Sequence, residues 1–475
     1  MARRYDIAII GAGTAGLSAL SEVRKATDNF VIINDGPYGT TCARRGCMPS
    51  KTLIEYANIF HTRHALERLG VQGATALRLD GAGIMARMRA LRDDFAASAA
   101  QQTADLGQRN IQGRARFVDP HTLAVNGQTL EAEASIIATG SHPIIPATWP
   151  ALGERVVGSD DFFEWRDLPA SVAVVGMGGV GLELAQALSR LGVEVYGFQA
   201  SNNVIGGLSD EAVSAAALAI LQQEFPIFMG AAAELAAEGE GVAVRGSGGA
   251  VVVDKVLAAV GRRPNLDDLG LERLGLSQDE QGRLPFNRHT MQLGELPVYI
   301  AGDVNGCVPL LHEAADEGHI AARNALQRGQ LPFKRRTPVM IVFADPHIAV
   351  VGHSLASLAP FEPVIGQADF SGQGRLRMSG RDQGLLRLYA EPGSGRLLGA
   401  EMCVPEGEHL AHLLAWAMDR DQSVHDLLRM PFYHPVVEEG LRSALRDTRA
   451  QLLGESTAPP ELALYHRLPC AAADG

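Results

Sequence analysis

Apolar and polar positions along the chain fall into blocks that switch between strand and helix periods. YDIAIIGAGTAGLSAL, from Tyr5, is an apolar strand that runs straight into glycines and then into an Ala/Leu pattern of helical spacing. SVAVVGMGGVGLELAQALSRLGVEV, from Ser171, repeats that order, and the pair is the one internal repeat in the chain. The stretch from Pro143 to Pro169, rich in Pro and Trp, reads as the crossing between the two units. VYIAGDV, Val298 to Val304, predicts one more buried strand ending in Gly-Asp. From about Pro338 the blocks shorten to MIVFA, IAVVG and LLRLYA, with helices predicted near His409 to Met418 and Glu438 to Asp447. That pattern predicts a separate α+β domain, and the tail beyond Thr448 is weakly patterned.

Length and composition narrow the classes. A chain of 475 residues exceeds one hydrophobic core, so two to four domains are expected. With 46% apolar and 20% charged residues it has an ordinary globular composition. A formal charge of -12 disfavours nucleic acid or an anionic membrane as partner. The apolar run Ile7 to Ile10 breaks at once into glycines, which suits a buried strand rather than a signal peptide, and no window is long enough to span a membrane. Five cysteines make no disulfide-stapled secreted scaffold, so a cytoplasmic location is expected and a close Cys pair reads as catalytic or metal-binding.

Gly11, Gly13 and Gly16 form a Gly-x-Gly-x-x-Gly turn between strand and helix, where bare backbone lets a pyrophosphate approach the helix N-terminus. The ribose partner belongs at the end of the next strand, FVIIND, which places Asn34 and Asp35 there. Gly176, Gly178 and Gly181 repeat the turn and lean toward NAD over NADP. The matching strand end carries Gln199 where an NAD site prefers a carboxylate, with no arginine immediately beside it for a 2′-phosphate. Two such turns imply two dinucleotides.

GTTCARRGCMPSK sets Cys42 and Cys47 with four residues between them, and Lys51 follows on an expected helix. Such a pair can close a small disulfide, and a helix N-terminus and nearby cations favour its thiolates. Two inert buried thiols and a metal site are the other readings; the nearest His is His61, and no second Cys pair completes a zinc site. In MPFYHPVVEEG, Glu439 can orient His434 and raise its basicity, or His434 is a surface residue beside a helix. Cys307 and Cys403 read as core thiols and Cys470 as incidental. The pairs His61/His64 and His409/His412 have helical spacing without the acid of a zinc-protease pattern, so no metal site is expected. Arg44 and Arg45 either face the thiols, favouring an anionic substrate, or point to solvent.

Together these motifs, from Tyr5 to Asp447, resemble the flavoprotein disulfide reductases, the family of dihydrolipoamide dehydrogenase, glutathione reductase and mercuric reductase. The resemblance implies an α/β fold with two Rossmann-like dinucleotide-binding domains, for FAD and NAD(P), and a C-terminal α+β dimerisation domain. Expected boundaries are 1–150 and 276–335 for FAD, 151–275 for NAD(P), 336–447 for the dimer interface and 448–475 for the tail. It further implies that Gly11, Gly13, Gly16, Asn34, Thr41, Lys51, Ala115, Thr139, Gly140, Asp303 and Leu311 contact FAD. Gly176, Gly178, Gly181, Glu183, Gln199 and Gly261 would line the nicotinamide site, and Lys51 and Glu183 match the ion pair kept near flavin N5. Hydride would pass from nicotinamide to flavin, the flavin would reduce Cys47, and Cys42 would exchange with a dithiol or disulfide substrate, which includes lipoyl-carrying proteins. His434, oriented by Glu439 and supplied by the second subunit of a homodimer, would move the proton at Cys42. A metal-ion or quinone reductase, and a non-enzymatic flavin/thiol sensor, are the competing readings. Asn34 in place of the usual Glu, Val436 in place of the usual Thr, and Gly179 where glutathione reductase has a Tyr depart from the family pattern.

Overall fold

The computed structural model describes residues 3–202, 204–327, 331–454 and 461–462. The chain divides into two compact units: Met1–Gly176, Leu184–Phe198 and Ala232–Arg335 form the first, and Met177–Glu183, Gln199–Ala231 and Arg336–Gly475 the second.

At the heart of the first unit the strand Arg3–Ile10 lies parallel between Phe30–Asn34 and Gln128–Ile137, in the register Ile10 opposite Ile33 and Ile137. Val298–Ile300 adds a further parallel strand with Ile300 opposite Ile137. The sheet is covered on both faces, so its strands are near-continuous apolar runs that show no alternation. Ile7, Ile9, Ile32 and Ile136 enter one core cluster, while Ala8, Ile10, Val31, Ile33 and Ile137 enter another, as the two-residue period of a strand requires. The helices Thr14–Ala26 and Leu311–Gln327 pack together where Gly318 meets Ala15; a Cβ on Gly318 would overlap the Ala15 carbonyl oxygen.

A second parallel sheet in this unit sets Glu194–Gln199 and Lys255–Ala258 on either side of Ser171–Val175. The Pro/Trp-rich crossing does more than connect: its β-branched pair in Val156–Gly158 forms a strand beside Lys255–Ala258, and the buried Phe162 and Phe163 anchor the short helix Ser159–Phe162. Ser141–Pro143 pairs antiparallel with Arg262–Pro264, bringing two motifs far apart in sequence to one place.

The second unit contains the expected α+β arrangement. Its antiparallel sheet runs Val339–Val342, His347–Gly352, Leu397–Val404, Leu385–Ala390, Val364–Asp369, with the helices Gly407–Asp419 and Glu438–Leu453 packed on it. Asp210, fully buried, accepts hydrogen bonds from Arg387 at 2.8 Å on both oxygens and from the Tyr389 hydroxyl at 2.9 Å. Burial pushes the Tyr389 phenol well up. Glu401 accepts the backbone N–H of Ser209, Asp210 and Leu355, so the start of the helix Glu211–Leu221 is fixed to this sheet by charge-assisted bonds.

Candidate active site

Gly11 sits at φ 111°, in the left-handed region, and a Cβ there would overlap the Ala138 carbonyl; a Cβ on Gly16 would overlap the Gly11 carbonyl. Gly13 opens on empty space, with nothing within 4 Å of where its Cβ would stand. These three positions give the close packing and the bare backbone that a pyrophosphate needs at the N-terminus of Thr14–Ala26. Asn34 closes the turn: its Oδ1 accepts the Ala12 N–H at 3.1 Å and its Nδ2 donates to the Gly36 carbonyl at 3.1 Å. Asp35 faces Arg114 at 3.7 Å. A cavity of about 250 Å³ lies here, lined among others by Gly11, Asn34, Asp35, Ala115, Thr139 and Asn265. The donor set and the emptied backbone fit an adenine dinucleotide such as FAD.

Thr139 and Gly140 follow the strand Gln128–Ile137. The Thr139 hydroxyl donates to the Asn265 carbonyl at 2.7 Å, and Asn265 returns its amide to the Thr139 carbonyl at 2.8 Å. Asp303 begins the turn Asp303–Asn305 and accepts from the Ser141 hydroxyl at 2.9 Å. The buried Glu317 steadies that turn from below, accepting the Gly302 N–H and the Asn305 amide, each at 2.7 Å. Arg335 donates to Glu317 at 3.1 Å and pairs with Glu313. Leu311 opens the next helix and is 46% exposed.

The second glycine turn repeats the first. Gly176, at φ 100°, approaches Ala259 as Gly11 approaches Ala138, and its N–H donates to the Phe198 carbonyl at 2.8 Å. Gly178, like Gly13, opens on empty space, and Gly181 is buried in the helix Gly179–Arg190. Gln199 stands to Met177 as Asn34 stands to Ala12: its Oε1 accepts the Met177 N–H at 2.9 Å. Its Nε2 donates to Ser201 Oγ at 3.0 Å and to the Val204 carbonyl at 3.2 Å. Glu183 is buried and accepts the Phe343 N–H at 2.9 Å. Gly261, at φ 118°, gives its carbonyl to the Ile144 N–H.

Cys42 lies on the short helix Thr41–Arg45, and Cys47 opens the long helix Cys47–Arg68. The Thr40 hydroxyl caps the first helix on the Ala43 N–H at 3.1 Å. The two sulfur-bearing side chains face each other within hydrogen-bonding reach. The hydrogen bond between them and burial push the Cys42 thiol far up, while the Lys51 ammonium pulls it back. Neither arginine of the turn is spent as expected: Arg44 donates to the Tyr38 carbonyl at 3.3 Å, and Arg45 faces Asp160 at 3.6 Å. Cys403 is fully buried, which pushes its thiol up to about 12. Cys307 is not a core thiol; it is half-buried just past the Asp303 turn, where its N–H is held by Asn305. Cys470 lies outside the described residues.

In the second unit Glu439, in the first turn of Glu438–Leu453, accepts from His434 Nδ1 at 3.0 Å and from Arg442 at 3.1 Å. The His434 bond, followed by the Val436 N–H, holds the Glu439 carboxyl below its ordinary value. The His434 side chain is 77% exposed. Among the described residues no group of three or more His, Cys, Asp or Glu side chains is placed to hold a metal ion. The rings of His61 and His64 stack tilted at 5.2 Å.

Comparison with known proteins matches residues 5–318 to the pyridine nucleotide-disulphide oxidoreductase family and residues 339–445 to that family's dimerisation domain. The chain belongs to this family. Dihydrolipoyl dehydrogenase 2 of Haloarcula marismortui is 30% identical over 467 residues, covering 94% of this chain and 97% of that protein. Dihydrolipoyl dehydrogenase of Thermus scotoductus is 30% identical, covering 95% and 99%. The crystal structure of LpdA from Mycobacterium tuberculosis superposes with a TM-score of 0.80 at 26% identity, covering 94% of this chain and 99% of that one. As a pyridine nucleotide-disulphide oxidoreductase, the chain is an FAD-dependent NAD(P)H:disulfide oxidoreductase that uses NAD(H) and forms a homodimer. Its α/β architecture with a C-terminal dimerisation domain is the one the motifs implied. No helix among the described residues is long and apolar enough to cross a membrane.

Ser141, Asn265, Arg262 and Glu317 escaped the sequence reading. Ser141 and the GRRPN segment carried the signal, since both directly follow strand ends that carry assigned glycines. Glu317 had none: in sequence it is one more acid on an amphipathic helix.

Proposed function

We propose that this oxidoreductase is a lipoamide-type disulfide reductase of the cytoplasm whose exchanging thiol is Cys42. The observation that carries this is the Cys42–Cys47 thiol pair, hydrogen-bonded internally and set against the Lys51 charge. FAD is held by Gly11, Gly13, Gly16, Asn34, Asp35, Thr41, Lys51, Ala115, Thr139, Gly140, Asp303 and Leu311. Bound there, it supplies two-electron exchange between nicotinamide and a dithiol. Gly176, Gly178, Gly181, Gln199, Gly261 and Glu183 take the nicotinamide coenzyme. The FAD-binding parts are 1–150 and 276–335, the NAD(P) part 151–275, the dimer-interface part 336–447 and the tail 448–475.

The chain's own work is thiol exchange and proton movement. The Cys42 thiolate attacks one sulfur of the substrate disulfide, forming a mixed disulfide and releasing a substrate thiolate. Cys47 then attacks Cys42, closing the Cys42–Cys47 bond and releasing the second substrate thiolate. His434 of the partner subunit, held by Glu439, delivers the protons these thiolates need. In the lipoyl direction the same steps run backwards, and His434 accepts protons from the dithiol.

Steady-state assay with NADH and lipoamide tests the reading. Cys42→Ser should abolish turnover, and turnover unchanged in that variant overturns the assignment. If His434→Ala proves harmless while Cys42→Ser is dead, electrons leave without a disulfide substrate, as in a metal-ion or quinone reductase.

A further inference from the structure

We propose that Asp160 is a positioning residue that ties the turn between the redox cysteines to the flavin pocket. The proposal rests on the assignment above of Cys42, Cys47 and Asp303, and deepens it by naming what joins them. Asp160 stands on the short helix Ser159–Phe162, in the crossing segment that belongs to neither glycine motif. Its side chain is 13% exposed and lies between two guanidinium groups. Oδ1 accepts from Arg262 Nη1 at 3.0 Å, and Oδ2 faces Arg45 Nη1 at 3.6 Å. Arg262 Nη1 also reaches the Ser159 hydroxyl at 3.5 Å, while Nε donates to the Ser141 hydroxyl and Nη2 to the Ser141 carbonyl, both at 2.8 Å. The Ser141 hydroxyl in turn donates to Asp303 Oδ2 at 2.9 Å.

The result is an unbroken row, Arg45–Asp160–Arg262–Ser141–Asp303, from the redox turn to the acid assigned to FAD. Arg262 is the rigid member, because a planar guanidinium bonded on three sides has one orientation left. Removing the Asp160 charge would leave Arg262, 22% exposed, without its one carboxylate partner among the described residues, and Ser141 would lose the fixed donor that aims it. On the other side it would free the charge of Arg45, which follows Cys42 by three residues and precedes Cys47 by two, in the turn where Lys51 already acts on Cys42 and Arg44 is engaged by Tyr38. With Asp160 in place the charge of Arg45 is matched, and the site is set for an uncharged disulfide in preference to an anionic one.

Two measurements on the reduced holoprotein read the two ends. The first is the rate of Cys42 alkylation by anionic iodoacetate divided by the rate with neutral iodoacetamide. A loosened structure raises both rates, whereas an added positive charge raises the ratio. Asp160→Asn should raise it roughly two- to threefold, the effect of one unit charge several ångströms away in a hydrated site. In an Arg45→Gln background the same change should do nothing. The second is the FAD dissociation constant, which should rise in Asp160→Asn and recover in Asp160→Glu.

A ratio unchanged in Asp160→Asn, equal acceleration of both reagents, or a shift that persists without Arg45 overturns the proposal. So does unaltered FAD affinity in Asp160→Asn. If that variant does not fold, Ser141→Ala, which cuts the row between Arg262 and Asp303, should raise the FAD dissociation constant and leave the alkylation ratio unchanged, and unaltered FAD affinity overturns the proposal equally. Neither readout needs turnover, so loss of the lipoamide-reductase assignment would be recognised separately, by a Cys42→Ser enzyme that still reduces disulfides.

Discussion

The chemistry of single residues here is set by what each side chain is paired with. Cys42 and Cys403 are both pushed up, but in different surroundings: Cys42 by its bond to Cys47 and by burial, with Lys51 opposing, and Cys403 by burial and then the Asp345 charge. Only the first has a neighbouring charge that can stabilise a thiolate. Glu439 is the clearest pH-sensitive partner. Its pKa is depressed by His434, so its contribution is complete above its ordinary 4.5 and fades as pH falls through the lower folded value. Accordingly, Glu439→Gln should lower kcat about tenfold at neutral pH, and His434→Ala about a hundredfold. A pH profile checks the sign: the deficit of Glu439→Gln should shrink toward acid pH, where the wild-type carboxyl is also neutral.

At the scale of elements, hydrogen bonds to buried acids hold functional turns that lack regular structure of their own. Glu317 reaches from the helix Leu311–Gln327 to both ends of the Asp303 turn, and burial raises its carboxyl above the ordinary range. Its partners Gly302 and Asn305 have no comparable replacement if the carboxylate is removed. Glu317→Ala should therefore cost on the order of 3 kcal/mol in urea unfolding of the holoprotein. It should also speed FAD release, and Glu317→Gln should recover part of both. The paired glycine turns were legible in advance because their constraint is local: a positive φ and a carbonyl in contact leave no other residue. The roles of Asn34 and Gln199 were not, since each side chain bonds to the backbone of its own turn, a use that strand position does not reveal.

For the whole molecule, the decisive property is that the dimerisation domain carries the hydrogen-bonded His434–Glu439 pair with an exposed imidazole, and the first unit carries the Cys42 and Cys47 thiols. Tyr433, 80% exposed beside His434, and Trp416, 65% exposed on Gly407–Asp419, leave apolar surface of the kind that a second subunit covers. If each site draws its His434 from the partner, subunits defective in different residues should complement. Co-refolding equal amounts of Cys42→Ser and His434→Ala chains should restore about a quarter of wild-type activity, because half of random dimers hold one intact site of two. Recovery no greater than the sum of the two inactive parents would show that each site is built within one subunit.

The amino-acid order alone determined what depends on short spacing: two strand-glycine-helix turns, the Cys42–Cys47 pair, the His434–Glu439 pair and the late α+β domain. Each is specified by residues within one or two turns of one another, where steric and hydrogen-bonding rules apply directly. Tertiary structure decided everything that joins distant segments. It placed Ser141 beside Arg262 through a three-residue strand pair, put Glu317 under Asp303, and matched Arg45 with Asp160 instead of leaving its charge to the thiols. Charged side chains are legible only in part because their effect is set by the partner, and partners far apart in the chain meet only after it has folded.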